Sequence, residues 1–195
     1  MRYDLVVIGS SWGGLAAQQV ILRALPAGFA APIVIAQHRS ARSDDTLLAM
    51  LLDSATELTV RDAEDKDALT PGVVLIAPPD YHLLVEHGTV SLSCDEPVAF
   101  SRPSIDVAFE SAADAYGDRV VAVVMTGANS DGAAGLAAVR RRGGLTIVQD
   151  PATAERPEMP LAALRAVPDA QVVALDELGR RLASIVGTAT REGRA

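Results

Sequence analysis

The ten residues Leu5-Val6-Val7-Ile8-Gly9-Ser10-Ser11-Trp12-Gly13-Gly14 constrain this chain more than any other stretch. Four consecutive apolar residues without alternation read as a strand covered on both faces. Three glycines and two serines follow among the next six residues, and an amphipathic run from Leu15 to Leu25 comes next. Strand, tight turn and helix in that order open an α/β sheet. In such sheets, sites form beyond the carboxyl ends of the strands, so the turn is the first place to look for chemistry.

Two kinds of turn fit partly. A dinucleotide-binding turn has the form G-x-G-x-x-G. The frame beginning at Gly9 puts Ser11 where the middle glycine must let the backbone approach a pyrophosphate. The next predicted strand, ending near Ala36, runs into Gln37-His38 rather than a ribose-binding acid. The Lys-Ser/Thr ending of a phosphate-binding ATPase loop is missing too. The other frame, Gly9-Ser10-Ser11-Trp12-Gly13, matches G-x-S-x-G, the nucleophile elbow. Its glycines permit a sharp turn that presents a serine hydroxyl at a helix start, where unpaired N–H groups can stabilise an oxyanion. On these ten residues alone, the plainer alternative stays open: Ser10 or Ser11 merely caps the helix.

The rest of the chain repeats the α/β rhythm. Short apolar strands are predicted at 5–8, 33–36, 58–60, 73–77, 120–125, 145–148 and 171–174. Helices are predicted at 13–25, 44–52, from Pro103 to Gly117, from the turn after Met125 to Arg142, at 161–166 and at 175–186. Residues 81–86 and 89–94, with His87-Gly88 between them, read as an antiparallel hairpin. The predicted fold is a doubly wound, mostly parallel seven-stranded α/β sheet with flanking helices and that hairpin. Residues 1–187 form one domain, large enough for a sizeable core, and 188–195 form a tail.

Composition narrows the function. Acidic residues outnumber basic ones by 25 to 17, a formal charge of -8, which argues against a general nucleic-acid surface. Arg140-Arg141-Arg142 reads as a cationic helix end. With Cys94 as the only cysteine, no internal disulfide is possible. No apolar run reaches the length of a membrane span and no signal peptide is visible, so a cytoplasmic location without membrane insertion is expected. His38, His82 and His87 are scattered without ligand spacing; no metal and no cofactor are expected.

A serine hydrolase needs a nucleophile, a histidine that takes its proton, and a carboxylate that fixes the histidine. His38 ends the second strand and is the best placed base, because His87 sits in a hairpin turn and His82 in the hairpin itself. Asp80, Asp131 and Asp150 all follow strands, and spacing alone does not choose among them. Cys94, in the hairpin, is no nucleophile candidate.

Five ordered blocks carry a resemblance to the catalytic domain of the bacterial chemotaxis-receptor protein-glutamate methylesterases, the CheB family. Ile8-Gly9-Ser10-Ser11-Trp12-Gly13-Gly14 is similar to the family's G-A-S-T-G-G loop. Gln37-His38 is similar to the block supplying its base, and Ala77-Pro78-Pro79-Asp80-Tyr81-His82 to A-P-G-D-x-H. Arg102-Pro103-Ser104-Ile105-Asp106 is similar to R-P-S-V-D, and the run from Thr126 to Gly135 to T-G-M-G-x-D-G-A-x-G. The resemblance implies Ser11 as nucleophile, His38 as base and Asp131 as orienting acid. It implies an oxyanion site and pocket around Trp12, Gly13, Ala128, Asn129 and Met159. The implied activity is hydrolysis of glutamate methyl esters on methylated chemoreceptor helices or related proteins, with glutamine deamidation in some members. Such helices are acidic, so Arg42 and Arg102, beside strand ends, are candidate substrate-binding residues.

The chain departs from the family pattern at Ala128 (family methionine), Asn129 and Glu158 (family glycines) and Trp12 (family threonine). Ala128, Asn129 and Glu158 motivate the alternative of a weakly active or inactive binding module in a chemosensory complex. The given sequence starts just before the first strand, so it reads either as a truncation or, as Met1 at that point favours, as a stand-alone catalytic domain, for which control by an attached receiver is not expected.

Overall fold

The structure, a computed structural model, describes residues 3–40 and 46–188. The first half contains β1 (Leu5–Ser10), α1 (Gly14–Arg23), β2 (Ile33–Gln37), α2 (Leu47–Asp53), β3 (Thr59–Asp62) and β4 (Val73–Ile76). A hairpin of β5 (His82–Val85) and β6 (Val90–Ser93) follows, then α3 (Ile105–Tyr116). The second half contains β7 (Val120–Val124), α4 (Ala133–Arg141), β8 (Leu145–Gln149), α5 (Glu158–Ala166), β9 (Gln171–Val173) and α6 (Leu175–Val186).

Among the described residues, seven strands form one parallel sheet in the order β3-β4-β2-β1-β7-β8-β9, and β5 and β6 pair antiparallel apart from it. From β1 the chain passes to β2 beside it, goes on to β3 at the sheet edge and steps back to β4 between β2 and β3; it then returns to β7 on the other side of β1 and winds outward through β8 to β9. The direction of winding therefore changes between β1 and β7, where a doubly wound sheet opens its crevice.

The strands lack hydrophobic alternation because both faces are covered. Val6, Ile8, Ile33, Ile35, Val121 and Val123 pack with Ile21 and Leu22 of α1, Leu52 of α2 and Leu178 and Leu182 of α6. Leu5, Val7, Val34, Ala122 and Val124 face the other way, onto Ile105 and Phe109 of α3, Leu136 of α4 and Ala163 of α5. Strand period and helix stripe thus agree at every layer.

Some boundaries differ from expectation. Helix α5 begins at Glu158, three residues before the predicted Leu161. Pro160 is accommodated because it lies in the first turn, where no intrahelical N–H bond is required. Helix α2 begins at Leu47; its predicted start at Asp44 lies outside the described residues. Thr188, predicted to open the tail, forms an isolated antiparallel bridge with Phe29, and 189–195 lie outside the described residues.

One packing contact places the site. The start of α3 lies so close to β1 that a Cβ on Gly9 would sit 2.2 Å from Ile105 Cγ2 and 3.2 Å from Phe109 Cζ. Gly9→Ala is expected to cost about 1–3 kcal/mol by overpacking, read as a lower urea midpoint. A midpoint equal to that of the unmodified chain would show that α3 can retreat from β1.

Candidate active site

The two serines of the β1 turn have different surroundings. Ser10 is fully buried. Its Oγ donates to Gln37 Oε1 at 2.7 Å and accepts from Gln18 Nε2 at 2.6 Å. Ser11 is partly exposed at the turn, and among the described residues its Oγ makes no hydrogen bond. The bland capping role therefore does not describe Ser11. Ser10 has its own task, securing the end of β1 to that of β2.

Gln37 continues that task. Its Nε2 donates to Ser11 O at 2.8 Å and to His38 O at 2.9 Å, holding the two strand-end turns together. Sequence reasoning noticed Gln37 only as a neighbour of His38.

His38 is 12% exposed in its side chain, and its Nε2 lies 2.6 Å from Asp131 Oδ2. A carboxylate only accepts, so Nε2 carries a proton, which in the neutral ring leaves the lone pair on Nδ1. Asn129 agrees with this tautomer. Its Oδ1 accepts from Asp131 N at 3.2 Å, which turns its Nδ2 toward His38 Nδ1 at 3.4 Å. The ring is reversed relative to a protease triad, in which Nδ1 faces the carboxylate.

Asp131 is completely buried in its side chain. Besides His38, it accepts from Ser104 Oγ at 3.0 Å, Ile105 N at 2.7 Å and Asp106 N at 3.0 Å. Burial opposes its charge, but the bonds from His38 and from the Ile105 and Asp106 N–H groups outweigh it. The carboxyl is held below its ordinary range. Ser104 is the N-cap of α3, and its own N–H donates to His82 Nδ1 at 3.2 Å. His82 is buried, with Nε2 3.2 Å from Glu96 O, so this histidine braces the loop that grips Asp131.

The other acid candidates are engaged elsewhere. Asp80 pairs with Arg102 at 2.6 Å, and Asp150 accepts from Ala152 N at 2.9 Å. Strand order alone does not separate them, since β4 lies beside β2 and β7 beside β1; the contacts do, because of the three only Asp131 bonds to His38 among the described residues.

Of the residues expected to line a pocket, Trp12 and Gly13 belong to the turn itself. Trp12 is 58% exposed. Gly13 has φ +77°, a left-handed conformation natural to glycine. Ala128 and Asn129 are exposed in the loop after β7. Met159 is buried against Gly127: a Cβ on Gly127 would lie 2.5 Å from Met159 Cε and 3.0 Å from Ser11 Cβ. The N–H groups of Trp12, Gly13 and Ala128 donate to no acceptor among the described residues. Arg102 borders a cleft of about 290 Å³ beside His38, Arg39, Asp80 and Phe100. Its guanidinium is occupied by Asp80, Cys94 O and Asp95 O. Arg42 lies outside the described residues. Among the described residues, no group of three histidine, cysteine or acidic side chains could hold a metal ion, and no helix is long and apolar enough to cross a membrane.

A protein-family profile described as CheB methylesterase matches residues 6–182. The chain belongs to the CheB methylesterase family. A relative in Leptospira interrogans, provisionally named protein-glutamate methylesterase/protein-glutamine glutaminase, is 46% identical over 179 residues, covering 91% of this chain and 92% of its own length. A Pseudomonas aeruginosa protein-glutamate methylesterase/protein-glutamine glutaminase is 40% identical over 181 residues, of which this chain spans 49%. The crystal structure of the Thermotoga maritima CheB methylesterase catalytic domain superposes with a TM-score of 0.89 at 36% identity, over 94% of this chain and 99% of that one. CheB-type methylesterases are a family of serine-dependent hydrolases.

One carboxyl in this CheB fold departs upward. Burial, with the Asp131 charge adding to it, raises Asp106 to about 6, against the N–H groups of Gly135 and Gly132. Between its ordinary range and pH 6 the folded chain holds a proton that the unfolded chain has lost. This group therefore makes stability fall as pH rises through that window. In Asp106→Asn, Oδ1 can still accept from Gly132 and Gly135, while the charge is gone. The variant's Tm relative to the unmodified chain is expected to rise by a few degrees between pH 4 and 7; an equal difference at both pH values would contradict the assignment.

Proposed function

We propose that the chain hydrolyses γ-methyl esters of glutamate side chains on methylated chemoreceptor helices or related signalling proteins in the cytoplasm, and deamidates glutamine by the same route. Residues 1–187 are assigned as the catalytic unit. The observation that carries the reading is the 2.6 Å contact between His38 and buried Asp131, one strand from the Ser11 turn. The names of the Leptospira and Pseudomonas relatives support the substrate class.

In this reading Ser11 Oγ attacks the ester carbonyl as its proton passes to His38 Nδ1, the nitrogen that Asp131 leaves free. Asp131 holds the ring and stabilises the imidazolium that forms. The N–H groups of Trp12 and Ala128 receive the oxyanion. His38 protonates departing methanol, or ammonia from glutamine. It then activates the water that releases glutamate from Ser11.

The test is methanol release from a methylated receptor fragment by the full chain. Release no faster than spontaneous ester hydrolysis would overturn the proposal. The Asn129 amide, directed at His38 Nδ1, is the observation that favours a weakly active binding module. Covalent labelling of Ser11 by a fluorophosphonate speaks for the enzyme, and its absence for the module.

A further inference from the structure

The cations around the site are not equivalent. Arg39 bonds to Asp62 and to Ala77 O, and Arg102 is occupied as described. Arg156 was not singled out by sequence reasoning, because it lies in a loop with no periodicity. It is exposed, and among the described residues no carboxylate pairs with its guanidinium and no acceptor takes its side-chain N–H groups.

The guanidinium is nevertheless fixed. Its Cζ lies 5.3 Å from the centre of the Trp12 ring, within the range of a cation–π contact. The Trp12 indole is itself held, because Nε1 donates to Glu155 Oε1 at 2.8 Å. The backbone is secured as well. Arg156 N donates to Thr126 Oγ1 at 2.9 Å, Thr126 Oγ1 donates to Trp12 O at 2.9 Å, and Gly127 N donates to Arg156 O at 3.1 Å. Stacking on a ring orients a guanidinium without using its N–H donors. The five donors remain available in the fork that matches a carboxylate. Glu155 holds the indole at its ring edge, whereas Arg156 lies over the face, so the negative charge is not paired with the fork.

We propose that Trp12 and Arg156 form an anion subsite beside Ser11, which binds a carboxylate side chain of the substrate protein neighbouring the reacting ester. The inference rests on the esterase reading and adds a preference in sequence to it. A chain of net charge -8 repels an acidic partner at long range. An unpaired, preoriented guanidinium at the nucleophile turn gives such a partner a local counter-charge, and the Trp12 face gives the adjoining methylenes an apolar wall.

Trp12 is the only tryptophan, so its fluorescence reports occupancy without turnover. The full chain carrying Ser11→Ala is titrated with two helical peptides that bear one γ-methyl glutamate. One has glutamates three and four residues away on the same helix face, and the other has glutamines there. The glutamate peptide is expected to bind about tenfold more tightly at low salt, with the preference shrinking as salt screens it. Adding Arg156→Gln should abolish the preference, and Arg156→Lys should retain part of it, since charge remains but the fork is lost. Equal binding of the two peptides, no saturable response to either, or a preference that survives Arg156→Gln would overturn the subsite. A preference that holds while the unmodified chain releases no methanol would instead sink the esterase reading and keep the subsite.

Discussion

Ser11→Ala is expected to lower methanol release from a methylated receptor fragment by about 10³-fold or more while leaving the fold intact. The loss of activity follows from the proposed role of Ser11 as nucleophile, and the intact fold from one observation. Ser11 Oγ makes no hydrogen bond among the described residues, so its removal leaves no protein group unsatisfied. Thermal stability should stay close to that of the unmodified chain, and fluorophosphonate labelling should disappear. Ser10→Ala should behave in the opposite way. It removes a fully buried hydroxyl from the Gln18–Gln37 network, so stability falls by about 1 kcal/mol while the nucleophile remains. Near-normal turnover by Ser11→Ala would remove Ser11 from the mechanism, whatever the fold.

Asp131→Asn is expected to lower kcat by about 10³- to 10⁴-fold and to destabilise the chain by about 1–3 kcal/mol. Both carboxylate oxygens act as acceptors: one from Ser104 Oγ and Asp106 N, the other from His38 Nε2 and Ile105 N. An amide must place its NH₂ on one side or the other, so one backbone N–H always meets a donor. If the NH₂ faces His38, the ring must present an unprotonated Nε2 to it. The proton then moves to Nδ1, the nitrogen needed as base. Loss of turnover with unchanged stability would mean that the helix start relaxes around the amide. Loss of stability with normal turnover would mean that Asp131 is only a cap for that segment. Steady-state kinetics and urea unfolding of the same preparation separate these results.

Much of this molecule is readable in one dimension. The unalternating strands at β1, β2 and β7 announce a sheet covered on both faces, because burial on two sides removes the polar positions that would otherwise alternate. The glycines and serines after β1 mark a turn with chemistry, and the five motif blocks name the family and propose Ser11, His38 and Asp131. The predicted helix starts were less accurate at α5, because a proline in the first turn resembles a loop residue in sequence.

What the tertiary structure decided is which residues meet. Asp80, Asp131 and Asp150 all follow strands and are alike by local pattern. Only the folded loops place Asp131 on His38 and against the start of α3, while Asp80, after the strand beside β2, meets Arg102 instead. Ser10 and Ser11 are adjacent in sequence, yet one is locked to Gln37 and the other faces the crevice. The brace from His82 through Ser104 to Asp131 spans hairpin, helix cap and loop, and Arg156 stacks on Trp12 from 144 positions away. Such contacts leave no periodicity in the sequence, because periodicity records only which face of its own element a residue occupies. The partner across the crevice is set by strand order and by how closely α3 packs on Gly9.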